Sequence, residues 1–374
     1  MKTYPLHSIS LEQAKKLQFK AIDAVTRNFS GEEVLSLGDL GVVKGLNKPR
    51  CTLRAEHVFA DTFDAEAALF VRGAGTGAIR WALTACMKAG ESILVHTSPI
   101  YPTTKVTIDS MGLKPIRADF NDLEQLKAVC AAHKDEIRGA LVQLTRQKPD
   151  DSYDYKAVIA TIKQALPEVP VVTDDNYAAL KVDAIGCQAG ADLSTFSCFK
   201  ILGPEGVGVV VGKKELVERI YKMQYSGGSQ VQGHEAMDAL RGLIYAPVSL
   251  AAPVSLAIQS EVNEELVRRL NAGEIPGVKE AFLANAQSKV LLVEFEKDIA
   301  EKVLAAAPQF GAAPHPVGSE SKYEFAPMIY RVSGTFRAQD PTIEHRMIRI
   351  NPMRSGPDTI IRILRQCMEQ VQND

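Results

Sequence analysis

The chain has 374 residues, of which 46% are hydrophobic and 24% are charged, and its formal net charge is −2 at pH 7. This length allows more than one domain, and the charge lacks the basic excess typical of nucleic-acid-binding proteins. No apolar run approaches the roughly 20 residues that span a bilayer, and the first residues lack the apolar centre of a secretory signal. The cysteines and histidines show neither paired nor metal-ligand spacing. We expect a cytoplasmic protein that binds no metal, nucleic acid or membrane.

The N-terminal part of the chain predicts one helix followed by a glycine-rich segment. From Ser8 to about Asn28 the apolar residues recur at helical spacing, and Ser10 is a suitable N-cap because Gln13 follows three positions later. Residues 30–49 contain four glycines and show only weak periodicity. This pattern is typical of a surface loop.

A glycine-rich turn in the next part of the chain predicts an anion-binding helix start. Residues 67–71 have a strand pattern, and the run G-A-G-T-G at 73–77 then opens a helical pattern. The free amide groups and the dipole of a helix start favour an anion. A dinucleotide site would need G-x-G-x-x-G and an acid after the next strand, but the glycines alternate here and strand 92–95 is followed by His96. The pattern therefore argues against NAD.

Two acids and a lysine follow strand patterns in the middle of the chain. The β-branched run 171–173 ends in Asp174 and Asp175, and Lys200 lies between two apolar runs beside a Gly-Pro break. Because neighbouring residues of a strand point to opposite faces, only one of the two acids should face a given site. The lysine can also be an ordinary surface residue whose ammonium group reaches water from a strand end.

Strand and helix patterns alternate from residue 67 to 211, which predicts a mostly parallel sheet with helices on both faces. Such sheets carry their sites at the carboxyl ends of the strands. Five polar residues follow predicted strands and are expected at this edge: Thr76, Tyr101, Arg146, Asp174 and Lys200. An aromatic residue such as Tyr101, in a Pro-rich loop, can also serve only to fill space in the packing.

The C-terminal third predicts a long helix and a small domain. The helical pattern runs from about 248 to 270, strand patterns lie at 291–295 and 347–351, and a last helix is predicted at 358–371. We divide the chain into an N-terminal helix and arm (1–45), a large domain (46–245), and a connector helix with a small C-terminal domain (246–374).

The middle of the chain resembles the fold-type I enzymes that use pyridoxal 5'-phosphate (PLP), the aspartate aminotransferase superfamily. The pattern Asp174-x-x-Tyr177, followed by Lys200, matches the order and spacing of that superfamily. The whole chain also resembles the bacterial YhfS-type proteins. The resemblance implies a three-layer α/β fold with a mostly parallel central sheet, the large domain being the PLP-binding one, and a smaller C-terminal α+β domain. It also implies that Asp174 holds the pyridine nitrogen of PLP, and that Lys200 carries PLP as a Schiff base and moves the substrate α-proton.

Further motifs extend the resemblance to the rest of the site. Gly75, Thr76 and Gly77 resemble the S-G-T-G-A phosphate cup of aminotransferases, in which Ala74 replaces the serine and one hydroxyl donor is lost. The resemblance implies these remaining roles: phosphate binding by Ser197, ring stacking by Tyr101, cofactor binding by Tyr177, and binding of the substrate carboxylate by Arg349 or Arg354.

One residue that the resemblance leads us to expect is absent. In the resembled families an Asn after the strand at 139–145 bonds the phenolic oxygen of PLP, whereas this chain continues with R-Q-K-P. The residue that replaces that Asn would have to be Gln143, Arg146 or Gln147. The alternative is that no residue bonds the phenolic oxygen. Arg146 is also a candidate for binding the substrate.

The resemblance leaves the reaction and the assembly open. The phosphate cup favours an aminotransferase, whereas Tyr101 and the R-G-L helix pattern at 239–243 favour a lyase that eliminates a β- or γ-substituent. The absent Asn keeps a PLP-binding protein without turnover as a third hypothesis. The segments 30–49 and 226–234 imply a homodimer with shared active sites that acts on a small amino acid, although both are also typical of ordinary loops.

Overall fold

The computed structural model describes residues 6–145, 151–224, 227–283, 291–313, 325–332 and 340–373. The chain forms two compact units, Met1–Ala251 and Ala252–Asp374. Each unit has hydrophobic clusters of its own. The three-part division predicted from the sequence, with boundaries after residues 45 and 245, stays a prediction.

The first unit alternates helices and strands along most of its length. In chain order its elements are α1 (Leu11–Asn28), α2 (Gly31–Leu35), α3 (Arg50–Thr62), β1 (Ala67–Arg72), α4 (Ala74–Cys86), β2 (Ser92–His96), α5 (Pro102–Ser110), β3 (Lys114–Ala118), α6 (Leu123–Ala132), β4 (Ile137–Gln143), α7 (Tyr155–Ala165), β5 (Val171–Asp174), β6 (Leu193–Ser197), β7 (Val207–Gly212), α8 (Lys214–Met223) and α9 (Gly233–Ser249).

The strands of the first unit form a seven-stranded sheet in the order β1-β7-β6-β5-β4-β2-β3. All neighbours are parallel except that β7 runs antiparallel to both β1 and β6. The alternation predicted parallel crossover units in a mostly parallel sheet, and β7 is the strand that runs antiparallel to its neighbours. Only residues 198–206 connect β6 to β7, and a parallel crossover needs a dozen or more residues. The mostly parallel sheet confirms the predicted fold class.

Helices cover both faces of this sheet, as its strand residues show. Val209 and Val211 of β7 lie in the hydrophobic cluster that includes residues of α1, α3 and α9. Val210 lies in the cluster that includes residues of α4 and α8. Because side chains alternate along a strand, β7 contributes to both layers, which explains why all six of its residues are buried.

Helix α1 and the segment after it show the effect of two capping boxes. The Ser10 hydroxyl accepts from the Gln13 amide and the Gln13 side chain returns to the Ser10 amide, which confirms the predicted N-cap. The segment 30–49 was expected to be a loop, but Ser30 and Glu33 form a second capping box that begins the short helix α2. Local hydrogen bonds of this kind stabilise a helix start that apolar periodicity does not reveal.

The predicted helix from 248 to 270 is two helices in the structure. Helix α9 ends at Ser249 and helix α10 begins at Ala252. Pro253 explains the break, because its ring would clash with the carbonyl group of Ser249 in a continuous helix and it has no amide proton to donate.

The second unit is built on a four-stranded antiparallel sheet in the order β10-β11-β9-β8. The predicted strands at 291–295 and 347–351 have the predicted bounds, and the last helix begins one residue earlier than predicted. The elements are α10 (Ala252–Asn271), β8 (Val278–Leu283), β9 (Leu291–Phe295), α11 (Ala300–Ala306), β10 (Met328–Arg331), α12 (Ile343–Arg346), β11 (Met347–Asn351) and α13 (Pro357–Asn373).

No single helix in the described parts of the chain combines the length and the apolar character needed to cross a membrane. The consecutive helical segments 227–249 and 252–271 meet that test only when they are counted together.

Candidate active site

The parallel strands end at one edge of the large sheet, and most of the predicted site residues lie there. Asp174 and Ser197 are the last residues of β5 and β6, and Lys200 lies in a short 3-10 helix directly after β6. Gly75, Thr76 and Gly77 form the first turn of α4, after β1, and Tyr101 immediately precedes α5, after β2. Arg146 and Gln147 lie outside the described residues.

The first turn of α4 has the backbone of an anion cradle. Gly73 and Ala74 have positive φ angles of 97° and 54°, and the amide groups of both donate to the Gly206 carbonyl oxygen, at 2.9 and 3.1 Å. This leaves the next amide groups, those of Gly75 and Thr76, without partners inside the helix. Such amide groups and the helix dipole favour a phosphate. The contact with Gly206 also fixes the cradle beside the loop that carries Lys200.

The cradle depends on the absence of side chains at its glycines. A Cβ atom at Gly77 would lie 2.1 Å from the Arg72 carbonyl oxygen, and one at Gly75 would lie 2.5 Å from the Asn176 side-chain amide. Both distances are shorter than any non-bonded contact. The close approach of these groups therefore requires glycine.

We expect Gly77→Ala to weaken phosphate binding and to lower the free energy of unfolding by roughly 1–3 kcal/mol, the usual range for overpacking. The helix start must shift away from Arg72 to accommodate the new methyl group. Gly31→Ala is the matched control, because nothing lies within 4 Å of its Cβ position. Urea unfolding and equilibrium titration with PLP measure the two effects. Equal stability and PLP affinity in Gly77→Ala and wild type would contradict this description of the cradle.

Asp174 is a buried carboxylic acid that faces a small cavity. It is 6% exposed and lines a cavity of about 30 Å³ together with Ser98, Thr104 and Gln143. Burial raises the pKa of Asp174, and two hydrogen bonds from Asn176, at 2.8 and 3.1 Å, act in the opposite direction. A cation placed beside this carboxyl group would favour its charged form.

Asp175 lies on the other side of the strand end and is occupied by protein groups. Its carboxylate accepts from the amide groups of Gly186, at 2.7 Å, and Thr195, at 3.3 Å, and from the Thr173 hydroxyl. Burial raises the pKa of Asp175 to about 6. These contacts support the prediction that Asp174 rather than Asp175 faces a ligand.

Lys200 is held by the aromatic residue of the D-x-x-aromatic pattern. Its Nζ donates to the Tyr177 hydroxyl oxygen at 2.6 Å and lies 3.9 Å from the centroid of the same ring. Tyr177 itself has a positive φ of 66°, an uncommon backbone conformation for a bulky residue. The turn after β5 therefore places the Tyr177 side chain against Lys200.

Ser197 joins the lysine turn to the aspartate turn. Its hydroxyl oxygen accepts from the Phe199 amide at 3.3 Å, which caps the short helix, and its own amide donates to the Asn176 side-chain oxygen at 3.0 Å. A hydroxyl that accepts one bond still has its proton to donate. The predicted phosphate contact of Ser197 therefore stays available as a prediction.

Tyr101 and Arg349 have different surroundings. Tyr101 is 45% exposed at the start of α5. Arg349 lies in β11 of the second unit, where its guanidinium carbon is 4.8 Å from the Tyr330 ring centroid. Its Nε atom is buried and has no hydrogen-bond partner among the residues that the structure describes. The roles predicted for both residues stay predictions.

Asn176 stands out although the sequence did not assign it, and Gln143 stands out as a candidate that the sequence did name. Asn176 contacts Asp174 through its amide group and accepts from Ser197, so it joins the two strand ends. No motif pointed to it, because the pattern that was recognised uses only the positions on either side. Gln143 was one of three candidates to replace the absent Asn. It is the direct neighbour of Asp174 in the register of β4 and β5 and lines the same cavity, which supports it as a replacement.

Comparisons with known proteins agree with this fold. The family described as aminotransferase class-V matches residues 53–239, and the family described as the YhfS-like C-terminal domain matches residues 264–364. The chain is 53% identical over 371 residues to the protein YhfS of Escherichia coli (strain K12). The aligned residues cover 99% of this chain and 100% of that protein. The crystal structure of YhfS, described as PLP-dependent, has a TM-score of 0.78 over 99% of this chain and 100% of that chain.

More distant relatives include enzymes of sulfur chemistry. A probable cysteine desulfurase of Ureaplasma parvum serovar 3 is 27% identical over 149 residues, which are 38% of this chain and 36% of that protein. The structure of a cystathionine γ-lyase from Micromonospora echinospora is 17% identical, with a TM-score of 0.60 over 94% of this chain and 99% of that one. A likeness at that identity shows the fold alone.

The fold and the comparisons define the class, which is that of the fold-type I PLP-dependent proteins. Within this class the chain belongs to the class-V aminotransferase family and, over its full length, to the YhfS family. Both resemblances stated from the sequence are thereby confirmed.

Proposed function

We propose that this chain is a PLP-dependent enzyme that acts on an amino acid through Lys200. One observation carries the proposal: Lys200, Asp174 and an anion cradle lie at the same edge of one sheet. The relative of known structure is described as PLP-dependent. The cradle suits the phosphate of PLP, Asp174 suits its pyridine nitrogen, and Lys200 suits its aldehyde. The described residues therefore fit all three groups of the cofactor.

The residues that would hold the cofactor each supply one kind of contact. The amide groups of Gly75 and Thr76 and the hydroxyls of Thr76 and Ser197 suit the phosphate. The Gly77 amide donates to the Gly73 carbonyl oxygen at 2.8 Å, so Gly77 contributes through its lack of a side chain. Asp174 suits the ring nitrogen, because an adjacent carboxylate favours the protonated form of a base. When bound, PLP withdraws electrons from the α-carbon of an amino acid.

Lys200 is the residue that would move the α-proton. An amine is a general base only when it is neutral, and proton transfer by a positioned side chain contributes typically 10²–10⁴-fold to a rate. The Tyr177 hydroxyl, 2.6 Å from Nζ, fixes the position of the amine. Tyr101 would cover the ring, and Arg349 and Arg146 remain the candidates for the substrate carboxylate, since a guanidinium group binds a carboxylate through two parallel hydrogen bonds.

We propose aminotransfer as the reaction, on the match to the class-V aminotransferase family over residues 53–239. Elimination of a β- or γ-substituent is the second candidate, and Tyr101 and the R-G-L pattern at 239–243 support it. A screen of amino acids separates the two. Transfer of the amino group to an added 2-oxo acid supports aminotransfer, whereas release of ammonia and a 2-oxo acid without an acceptor supports elimination. A protein with a reducible PLP linkage and no product would be the third hypothesis, a binder without turnover.

We further propose a cytoplasmic homodimer with shared active sites. The end of α2 and the segment between α2 and α3 expose a group of aliphatic side chains: Leu35 (80%), Leu37 (74%), Leu40 (68%) and Val42 (49%). Clustered exposed apolar residues mark interaction surfaces. A second copy is the partner that the resemblance implies.

We expect sedimentation to give twice the chain mass of 40.7 kDa. Replacing both Leu37 and Leu40 with Asp should shift the protein toward the monomer, because two charges would be buried in the interface. Val106→Asp, at a side chain that is 59% exposed on α5, is the control and should leave the mass unchanged. A wild-type monomer with full PLP occupancy would rule out a shared site.

A further inference from the structure

Two threonine hydroxyls from different helices meet beside the anion cradle. Thr76 lies in the first turn of α4 and Thr103 in the first turn of α5, and their Oγ1 atoms are 3.0 Å apart. Thr76 belongs to the predicted phosphate cup, whereas Thr103 belongs to no motif. We propose that Thr103 is a second hydroxyl ligand of the PLP phosphate and restores the donor that is lost at Ala74. This inference rests on the proposed function.

The number of donors explains why a second threonine is useful. Each hydroxyl carries one proton and can also accept. In the structure one proton is used inside the pair, as Thr76 donates to Thr103, so the proton of Thr103 is free to point outward. A hydrogen bond to a charged group is stronger than one between neutral groups. A phosphate can therefore also draw the Thr76 proton outward, and the pair then supplies two donors.

The start of α5 contributes further groups of the same kind. The first bond within this helix runs from the Lys105 amide to the Tyr101 carbonyl oxygen, at 2.9 Å, so the amide groups of Thr103 and Thr104 precede the helical bonding pattern. Thr104 is 3% exposed, and its Oγ1 has no hydrogen-bond partner among the described residues. A buried hydroxyl without a partner is costly. It lines the cavity that Asp174 also lines.

A purely structural role for Thr103 makes a different prediction. If the pair only fastens α5 to α4, its loss would affect every ligand of the site to the same degree. If Thr103 binds the phosphate, its loss would affect only ligands that carry one. PLP and pyridoxal differ by the phosphate and therefore distinguish these roles.

The test is an equilibrium titration of the full-length apoprotein with PLP and, separately, with pyridoxal. Thr103→Val keeps the shape of the side chain and removes the hydroxyl. We expect it to raise the Kd for PLP about tenfold, which corresponds to about 1.4 kcal/mol, and to leave the Kd for pyridoxal unchanged. Thr103→Ser should restore PLP binding. Ser110→Ala is the control, because its hydroxyl bonds the Thr107 carbonyl oxygen at the far end of α5.

Equal losses for PLP and pyridoxal, or no loss for either, would overturn the role of Thr103. Failure of the proposed function gives a different result, because the wild type would then form no borohydride-reducible linkage to PLP at Lys200.

Discussion

Lys200→Ala is expected to abolish the visible absorbance of the bound cofactor and any linkage that borohydride can reduce. The side chain is only partly buried, so the variant should keep its fold. Catalysis should fall by at least the 10²–10⁴-fold that a positioned acid–base group contributes. Absorbance before and after reduction, followed by mass analysis of peptides, measures the linkage.

The Lys200 experiment has a control lysine in the same unit of the chain. Lys222 is an exposed lysine of α8, and Lys222→Ala should behave as wild type. If Lys200→Ala still carries a reducible PLP linkage, another lysine holds the cofactor and the assignment is wrong.

The second large effect is expected at Asp174. An adjacent carboxylate favours a protonated ring nitrogen by roughly one to three pKa units. Asp174→Asn removes the negative charge and should slow exchange of the substrate α-proton by roughly 10- to 1000-fold. The cofactor should still bind through Lys200 and the cradle, so the loss should appear in the rate and not in the occupancy. Deuterium exchange at the α-carbon of amino acids measures it.

Asp175→Asn should change stability instead of chemistry. The Asp175 carboxylate accepts from the Gly186 and Thr195 amide groups, and an asparagine in its place keeps only one acceptor oxygen. If Asp175→Asn slows α-proton exchange and Asp174→Asn does not, our assignment along the strand is off by one residue.

The pKa of Asp175 gives this variant a pH signature. The folded-state pKa of Asp175 is raised to about 6, so the folded protein favours the protonated carboxyl group. The stability that this protonation contributes is full below the unfolded-state pKa and is lost as the pH rises through about 6. Asparagine does not titrate. The stability difference between wild type and Asp175→Asn should therefore be larger near pH 4 than near pH 8, by roughly 2 kcal/mol. Urea unfolding at both pH values measures it, and a difference independent of pH would contradict this contribution.

The sequence predicted the parts of the site that follow strands. Asp174 and Lys200 could be found because apolar runs end at both and because the two residues match the order and spacing of a known superfamily. The Gly-rich start of α4 could be found because its three glycines lie within five consecutive residues, 73–77. In each case the feature depends on residues close together in the chain, so a short stretch of sequence is enough to predict it.

The parts that escaped prediction depend on contacts between distant segments. Thr103 meets Thr76 from 27 positions away, and Asn176 reaches Ser197 from 21 positions away. The antiparallel direction of β7 follows from the length of one connection, which an apolar pattern does not encode. Such features become visible only when the sheet brings the strand ends together.

The most direct test of the whole account is α-proton exchange by the wild-type holoprotein in deuterium oxide, across a panel of amino acids. The measurement needs no knowledge of the final product, because aminotransfer and elimination both begin with withdrawal of the α-proton. We predict deuterium at the α-carbon of at least one amino acid, with Lys200→Ala as the inactive control. A protein that carries PLP on Lys200 and exchanges no α-proton with any amino acid would contradict the enzyme assignment and favour a PLP-binding protein without turnover.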